Sequence, residues 1–179
     1  MGEIKSTLDL VLEKTRHLTL SEEEKHQQKH KDARNRLAGL LQRYQDGKLD
    51  VRKMGEELDR LVQADSGPDE SMVRDEIMGR IELGSENGQW LALLQTRYRC
   101  DISAVQSVEE DFRHTAEAAA ERRKEQIKTQ FEQVRRISGS AVVPNLNADR
   151  SWIAEQQSMM ADFSRRLEAE LGEMKKVPT

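Results

Sequence analysis

The sequence predicts an all-α protein made of a small helical head and a long antiparallel helical hairpin, coiled-coil-like and with an eleven-residue rhythm. Three observations predict it. Fifty consecutive residues, Gln89 to Ser138, contain neither glycine nor proline, far beyond the mean globular helix of about 11 to 12 residues. The three prolines, Pro68, Pro144 and Pro178, stand between periodic segments and interrupt none of them, which is where a residue lacking an amide donor does least harm. The β-branched doublet outside a helical pattern, Val142-Val143, is too short and too close to Pro144 to nucleate a sheet, so no strand is expected.

Composition narrows the class further. Of 179 residues, 36% are hydrophobic and 35% charged, and 29 basic side chains nearly cancel 33 acidic ones to leave a net charge of -4. Charge-driven disorder requires a large imbalance, whereas this mixture suits helices whose exposed faces carry alternating charge. An aromatic content of 4% is too low for a thick globular core and favours an extended bundle. Nucleic acid and anionic lipid select concentrated positive charge, which the balanced signs do not supply. The single Cys100 excludes an intramolecular disulfide framework. With no signal peptide and no spanning segment of about 20 apolar residues, a cytoplasmic location is expected.

Residues 1–20 read as an N-terminal amphipathic helix with Ile4, Leu8, Val11, Leu12 and Thr15 on one face. Residues 21–104 read as the head. Ser21-Glu22-Glu23-Glu24 has the form of a capping box, so a helix starts there with carboxylates in its first turn. That helix is polar on every side through Asp32, then lines up Ala33, Leu37, Leu40, Leu41 and Tyr44, and ends at Asp46-Gly47. Asp50 caps a helix carrying Val51, Met54, Leu58, Leu61 and Val62, which closes a short hairpin. Ser66-Gly67-Pro68-Asp69-Glu70 starts a fourth helix with Pro68 at or near its first position. It turns Val73, Ile77 and Ile81 inward and stops at Gly84.

The glycine-free stretch follows, about 75 Å long if continuous, and Cys100-Asp101-Ile102-Ser103 is the one place where a kink is expected, because those residues are mediocre helix formers. Residues 105–179 form the hairpin arm. Val105, Val108, Phe112, Ala116, Ala119, Arg123 and Ile127 step in the same rhythm as Trp152, Gln156, Met160, Phe163, Leu167, Leu171 and Met174, with Arg123 the polar exception. Steps of 3 and 4 that repeat in elevens favour a straight or slightly right-handed pairing. Asn147 is the expected cap of the returning helix.

Candidate sites are few. Glu22, His26 and His30 stand at i, i+4 and i+8, so one helix face offers a carboxylate and two imidazoles to a divalent metal. A fourth ligand is missing, and the surrounding composition is that of a solvated face. Met1-Gly2-Glu3-Ile4-Lys5-Ser6 matches the loose myristoylation pattern, against an ordinary helix start. Contact of the first helix with a membrane surface is disfavoured by its nearly neutral polar face. The basic clusters Arg122-Arg123-Lys124, Arg135-Arg136, Arg165-Arg166 and Lys175-Lys176 sit among glutamates at i,i+4 spacing, the pattern of a charge-laced exposed helix, and lack the interleaved aromatics of a nucleic-acid site. On a straight helix His114 lies about 21 Å from Cys100, which rules against a Cys-His pair. Trp90 reads as a core anchor of the head. Gly84-Ser85-Glu86-Asn87-Gly88 has neither the lysine nor the spacing of a phosphate loop and reads as turn chemistry.

No acid and base pair converges in this pattern. The expected function is a non-enzymatic helical adaptor, scaffold or assembly protein acting through helix packing with a protein partner or with itself, with no cofactor. The residues expected to carry the interaction are Ile4, Leu8, Val11, Phe112, Phe131, Trp152, Phe163 and Leu167. The alternative is a helical bundle that binds a divalent metal or a small ligand through Glu22, His26 and His30.

Overall fold

The computed structural model describes residues 21–139 and 142–176; the expected N-terminal helix, with Ile4, Leu8 and Val11, lies outside them. Among the described residues the fold is all-α: six α-helices, one short 3-10 turn and no strand. The helices are α1 (Glu22–Gln45), α2 (Val51–Val62), α3 (Glu70–Met78), α4 (Gly88–Tyr98), α5 (Ser103–Arg135) and α6 (Arg150–Lys176). The chain divides into two compact units, Met1–Val73 and Arg74–Thr179, where the sequence suggested a division near residue 104.

In the first unit, the Ser21 hydroxyl accepts from the Glu24 amide at 3.1 Å while the Glu24 carboxylate accepts from the Ser21 amide at 2.7 Å. Both bonds of a capping box are therefore made, and they hold the Glu24 carboxyl below its usual range. Helix α1 is exposed on all sides as far as Asp32 and then buries Ala33, Leu37, Leu40, Leu41 and Tyr44. It folds back through a turn with Gly47 at φ 70°. Asp50 caps α2 by accepting from the Lys53 amide at 2.8 Å, and Met54 and Leu58 complete a fully buried core with Leu37 and Leu41. At the end of α2 the chain turns so tightly that a Cβ on Gly67 would stand 2.0 Å from the Leu61 carbonyl oxygen, so only glycine fits there. Helix α3 is capped by Asp69, whose carboxylate accepts from the Met72 amide at 2.7 Å, which places Pro68 ahead of the helix and outside its first turn.

In the second unit, α3 stops at Met78, earlier than Gly84, yet Ile81 and Leu83 in the following loop are still buried. Helix α4 buries Trp90, Leu91, Leu93, Leu94 and Tyr98, and the Arg80 guanidinium lies 5.3 Å over the Trp90 ring.

The expected uninterrupted helix from Gln89 to Ser138 is two helices. The chain breaks at Arg99–Ile102, at the stretch of weak helix formers, and the physical reason is a pair of end signals. Arg99 adopts the left-handed conformation at φ 52°, and its amide and that of Cys100 both turn back to the Leu94 carbonyl. Two residues on, the Asp101 carboxylate accepts from the Ser103 amide at 3.0 Å and launches α5. Those hydrogen bonds from Ser103 hold the Asp101 carboxyl low.

Helices α5 and α6 pack along one another in opposite chain directions: Phe112 meets Phe163 edge-on at 5.5 Å, Asp111 pairs with Arg166 at 3.0 Å, and Arg123 pairs with Asp149. The stripe read from the sequence is the least exposed face of α5, and α6 buries Trp152, Phe163, Leu167, Leu171 and Met174, Phe163 against Phe112. Near its end α6 is tied to α3, since Arg74 donates to the Lys175 carbonyl at 2.7 Å and the Lys175 ammonium meets Asp75 at 3.0 Å.

Candidate interaction surface

The connection between the two long helices is where apolar surface is left uncovered. Four large hydrophobic side chains are exposed among the described residues, and all four lie between residues 134 and 153: Val134 at 79%, Ile137 at 47%, Val143 at 83% and Ile153 at 38%. Scattered single apolar residues on a surface are ordinary; a cluster confined to one short region of the chain is not.

The tip is held from beneath by a fixed ion pair. Arg123, the polar exception in the apolar stripe, offers Nε at 3.1 Å and Nη2 at 2.8 Å to the two carboxylate oxygens of Asp149. This is the bidentate geometry that makes arginine–carboxylate pairs specific. Both side chains are largely covered, at 17% and 21% exposure. The same Asp149 carboxylate accepts from the Trp152 amide at 2.7 Å, so Asp149, and not Asn147, caps α6. Asn147 sits inside the 3-10 turn Leu146–Ala148, whose start is capped by Asn145. The Arg123 and Trp152 bonds hold the Asp149 carboxyl low, and the Arg123 guanidinium is correspondingly raised by Asp149. Pro144 is buried and anchors the loop. Between residues 132 and 153 the charged residues are Glu132, Arg135, Arg136, Asp149 and Arg150, and Asp149 is neutralised by Arg123. The tip is basic in a chain of net charge -4.

A second feature lies on α5 nearer its start. A groove of about 730 Å3 is lined by Gly84, Glu109, Glu110, Phe112, Arg113 and Glu117, among others, and is acidic on balance. Its Glu109 is bonded to Asn87, the buried polar side chain among the described residues, at 3% exposure. The Asn87 carboxamide accepts from the Glu82 amide at 3.1 Å, donates to the Glu82 carbonyl at 2.7 Å and donates to the Glu109 carboxylate. A loop is thereby clamped to a long helix by one side chain, and Asn87 makes no side-chain cap bond to α4.

The residues singled out from the sequence fall into three groups. Trp152, Phe163 and Leu167 are buried within this chain, and Phe112 and Phe131 are half-buried, Phe112 against Phe163 and Phe131 under the Arg135 guanidinium at 5.8 Å. They serve intrachain packing, and the exposed apolar surface lies beside them. His26 and His30 are exposed, with ring centroids 4.5 Å apart, while the Glu22 carboxylate is engaged by Lys25 at 2.7 Å. Among the described residues no group of three or more His, Cys, Asp or Glu side chains converges as a metal site requires. Cys100 is half-buried with its thiol pushed up by burial, and His114 lies on the surface 3.6 Å from Glu110.

The chain matches no family model, no curated protein and no solved structure. The site therefore rests on its own geometry. No helix among the described residues is long and apolar enough to cross a membrane.

Two features of the site escaped the sequence reading. Asp149 was hidden because Asn147, two residues earlier, is an equally good cap by type. The signal that separates them is Arg123, a charge in an apolar stripe that requires a carboxylate opposite it. Asn87 carries no signal beyond its place before Gly88, since its three partners are brought together only by the fold.

Proposed function

We propose that this chain is a non-enzymatic helical adaptor or assembly protein whose hairpin tip is its contact surface for other protein. The observation that carries this reading is the confinement of all the exposed large hydrophobics of the described residues to residues 134–153. The basic residues around them match the anatomy of a protein interface, an apolar centre with arginine at its rim. The Arg123–Asp149 pair and the buried Trp152 hold the underlying backbone in one conformation, which lowers the ordering cost of docking.

The test is photocrosslinking. A photoreactive amino acid placed at Val143 is expected to give discrete protein adducts in cell extract, and the same group at the exposed Glu168 is expected to give none. Equal labelling from both positions, or none from either, defeats the proposal.

A second reading, a helical bundle that binds a divalent metal or a small ligand, is supported by the His26 and His30 rings lying side by side at 4.5 Å. Zinc titration of the wild type and of the His26→Ala/His30→Ala variant separates the two readings; identical behaviour ends this one.

A further inference from the structure

We infer that the partner is a second copy of this chain, docked antiparallel along one outer face of α5 so that the tip of each copy lies over the acidic groove of the other. The inference rests on the tip being a protein-contact surface, as proposed above, and adds what contacts it.

The face is read from helix geometry. Glu117 and Arg135 are eighteen residues apart, five full turns at about 3.6 residues per turn, so they lie on the same line of the helix. Glu110, Arg113, Glu121, Lys124 and Lys128 fall within about 40° of that line by the same arithmetic. The stripe of Val105, Ala119 and Ile127 that packs on α6 points well away from it, on another side of the helix. Among the described residues this face carries no buried side chain. Glu117, Glu121 and Arg135 on it are exposed, as are Glu110 and Arg113.

The charges along this face are polarised. Its first half carries Glu110, Glu117 and Glu121, with Arg113; its second half carries Lys124, Lys128 and Arg135, with Glu132 at its edge. Laid against itself in the opposite direction about its midpoint, between Arg122 and Arg123, the face sets Glu110 opposite Arg135, Arg113 opposite Glu132, Glu117 opposite Lys128 and Glu121 opposite Lys124. Each pair occurs twice by the two-fold symmetry. Even Arg113, the one cation in the acidic half, meets the one anion in the basic half. A parallel pairing would oppose like charges throughout, so the pattern also specifies direction. Apolar matter accompanies it: the antiparallel placement brings Val134 and the half-exposed Phe131 of one copy to the groove floored by Phe112 and Ala116 of the other.

Tip and groove cannot meet within one chain. They lie on a single continuous helix about 27 Å apart from Glu117 to Arg135. A reciprocal pair satisfies both sites in both copies and closes the assembly at two. Many of the charges also have neighbours on their own helix, such as Glu121 with Lys124 at 2.6 Å and Glu125 with Lys128 at 2.7 Å. Pairing between copies exchanges these exposed contacts for others, which makes the dimer weak, at the small end of specific interfaces.

The test is a charge swap read by sedimentation velocity on the full chain. The wild type is expected to show a monomer–dimer equilibrium that weakens as salt rises from about 20 to about 500 mM, as screening requires. Glu110→Lys/Glu117→Lys and Lys128→Glu/Arg135→Glu, each alone, should raise the dimer dissociation constant at least about tenfold. An equimolar mixture of the two variants should recover wild-type affinity as a heterodimer, and the chain with all four changes should recover it as a homodimer. All four positions are on the surface, and far-UV circular dichroism checks that helix content is unchanged. A chain that is monomeric at every concentration, a dimer indifferent to these substitutions, or a mixture that fails to recover overturns the inference. If the chain stays monomeric while Val143 crosslinks to a different protein, the self-docking inference fails and the adaptor reading stands.

Discussion

Helix α5 is bounded at both sides by the same device, an arginine in the left-handed conformation: Arg99 at φ 52° before it and Arg136 at φ 54° after it. The outcomes are opposite. Past Arg99 the chain resumes helix within four residues, whereas past Arg136 the next α-helix among the described residues is α6, which begins at Arg150. The difference lies in what the next residues offer. Ile102 is buried, at 7% exposure, and the Asp101 carboxylate accepts from the Ser103 amide, so the new helix has both an anchor and a side-chain hydrogen bond at its start. Ile137 is 47% exposed, and Ser138-Gly139 offers no buried anchor. A left-handed residue ends a helix; burial decides whether another begins.

The comparison is broken most severely by removing the anchor. Ile102→Ala is expected to cost about 2 to 5 kcal/mol, the range for truncating a buried isoleucine, while Ile137→Ala should fall within about 0.5 kcal/mol. Urea denaturation of the two variants measures the contrast, and equal losses would show that burial is not what separates the two ends. Next in size is the clamp beside the first break. Asn87→Ala removes the partner of Glu82 and Glu109 in a covered site and should cost about 1 to 3 kcal/mol, read as a lowered urea midpoint. The arginines themselves give a smaller effect of opposite sign. Arg99→Gly and Arg136→Gly should each stabilise by up to about 1 kcal/mol, since glycine adopts positive φ without strain, and a gain at one end only would mean that one arginine side chain contributes a compensating contact.

The smallest effect is in pH dependence. Asp101, just ahead of α5, and Asp149, which caps α6, both have carboxyls lower in the folded chain than the ordinary value of about 3.9. A depressed folded pKa contributes stability that is present above the ordinary value and lost as pH falls through the depressed one. Thermal melts between about pH 5 and pH 2 should therefore show the wild type losing stability. Asp149→Asn, which keeps an acceptor for the Trp152 amide, should lose less over that interval. A slope unchanged by the substitution would remove Asp149 from the account.

Much of the helical pattern was legible in the residues. The capping box at Ser21, the cap at Asp50 and the turn at Asp46-Gly47 are local chemistry, fixed by side chains three or four residues from their partners, and the structure has them where the sequence puts them. The apolar stripe of the arm was legible in most of its positions, because periodicity reports burial, although Gln156 in it is exposed. The break at Arg99 is hidden from the sequence because the absence of glycine and proline does not guarantee continuity, and Arg99 adopts a left-handed conformation that no sequence pattern advertises. The site was legible only in part. Phe163 and Leu167 were read as interaction residues because a stripe does not say whether it meets its own chain or another, whereas exposure at Val134 and Val143 appears only once the loop has been placed.

Asn87 carries one more consequence, which concerns chemical ageing. It precedes Gly88, and an asparagine followed by glycine is the dipeptide most prone to deamidation, because the small neighbour lets the next backbone nitrogen attack the side-chain carbonyl. Here that carbonyl is occupied by the Glu82 amide and the departing nitrogen is held by Glu82 and Glu109. The folded chain shields its most perishable bond, so each excursion in which the loop lifts from α5 exposes that bond to an irreversible change. A preparation's content of aspartate and isoaspartate at position 87 is then a cumulative record of how often the clamp has opened.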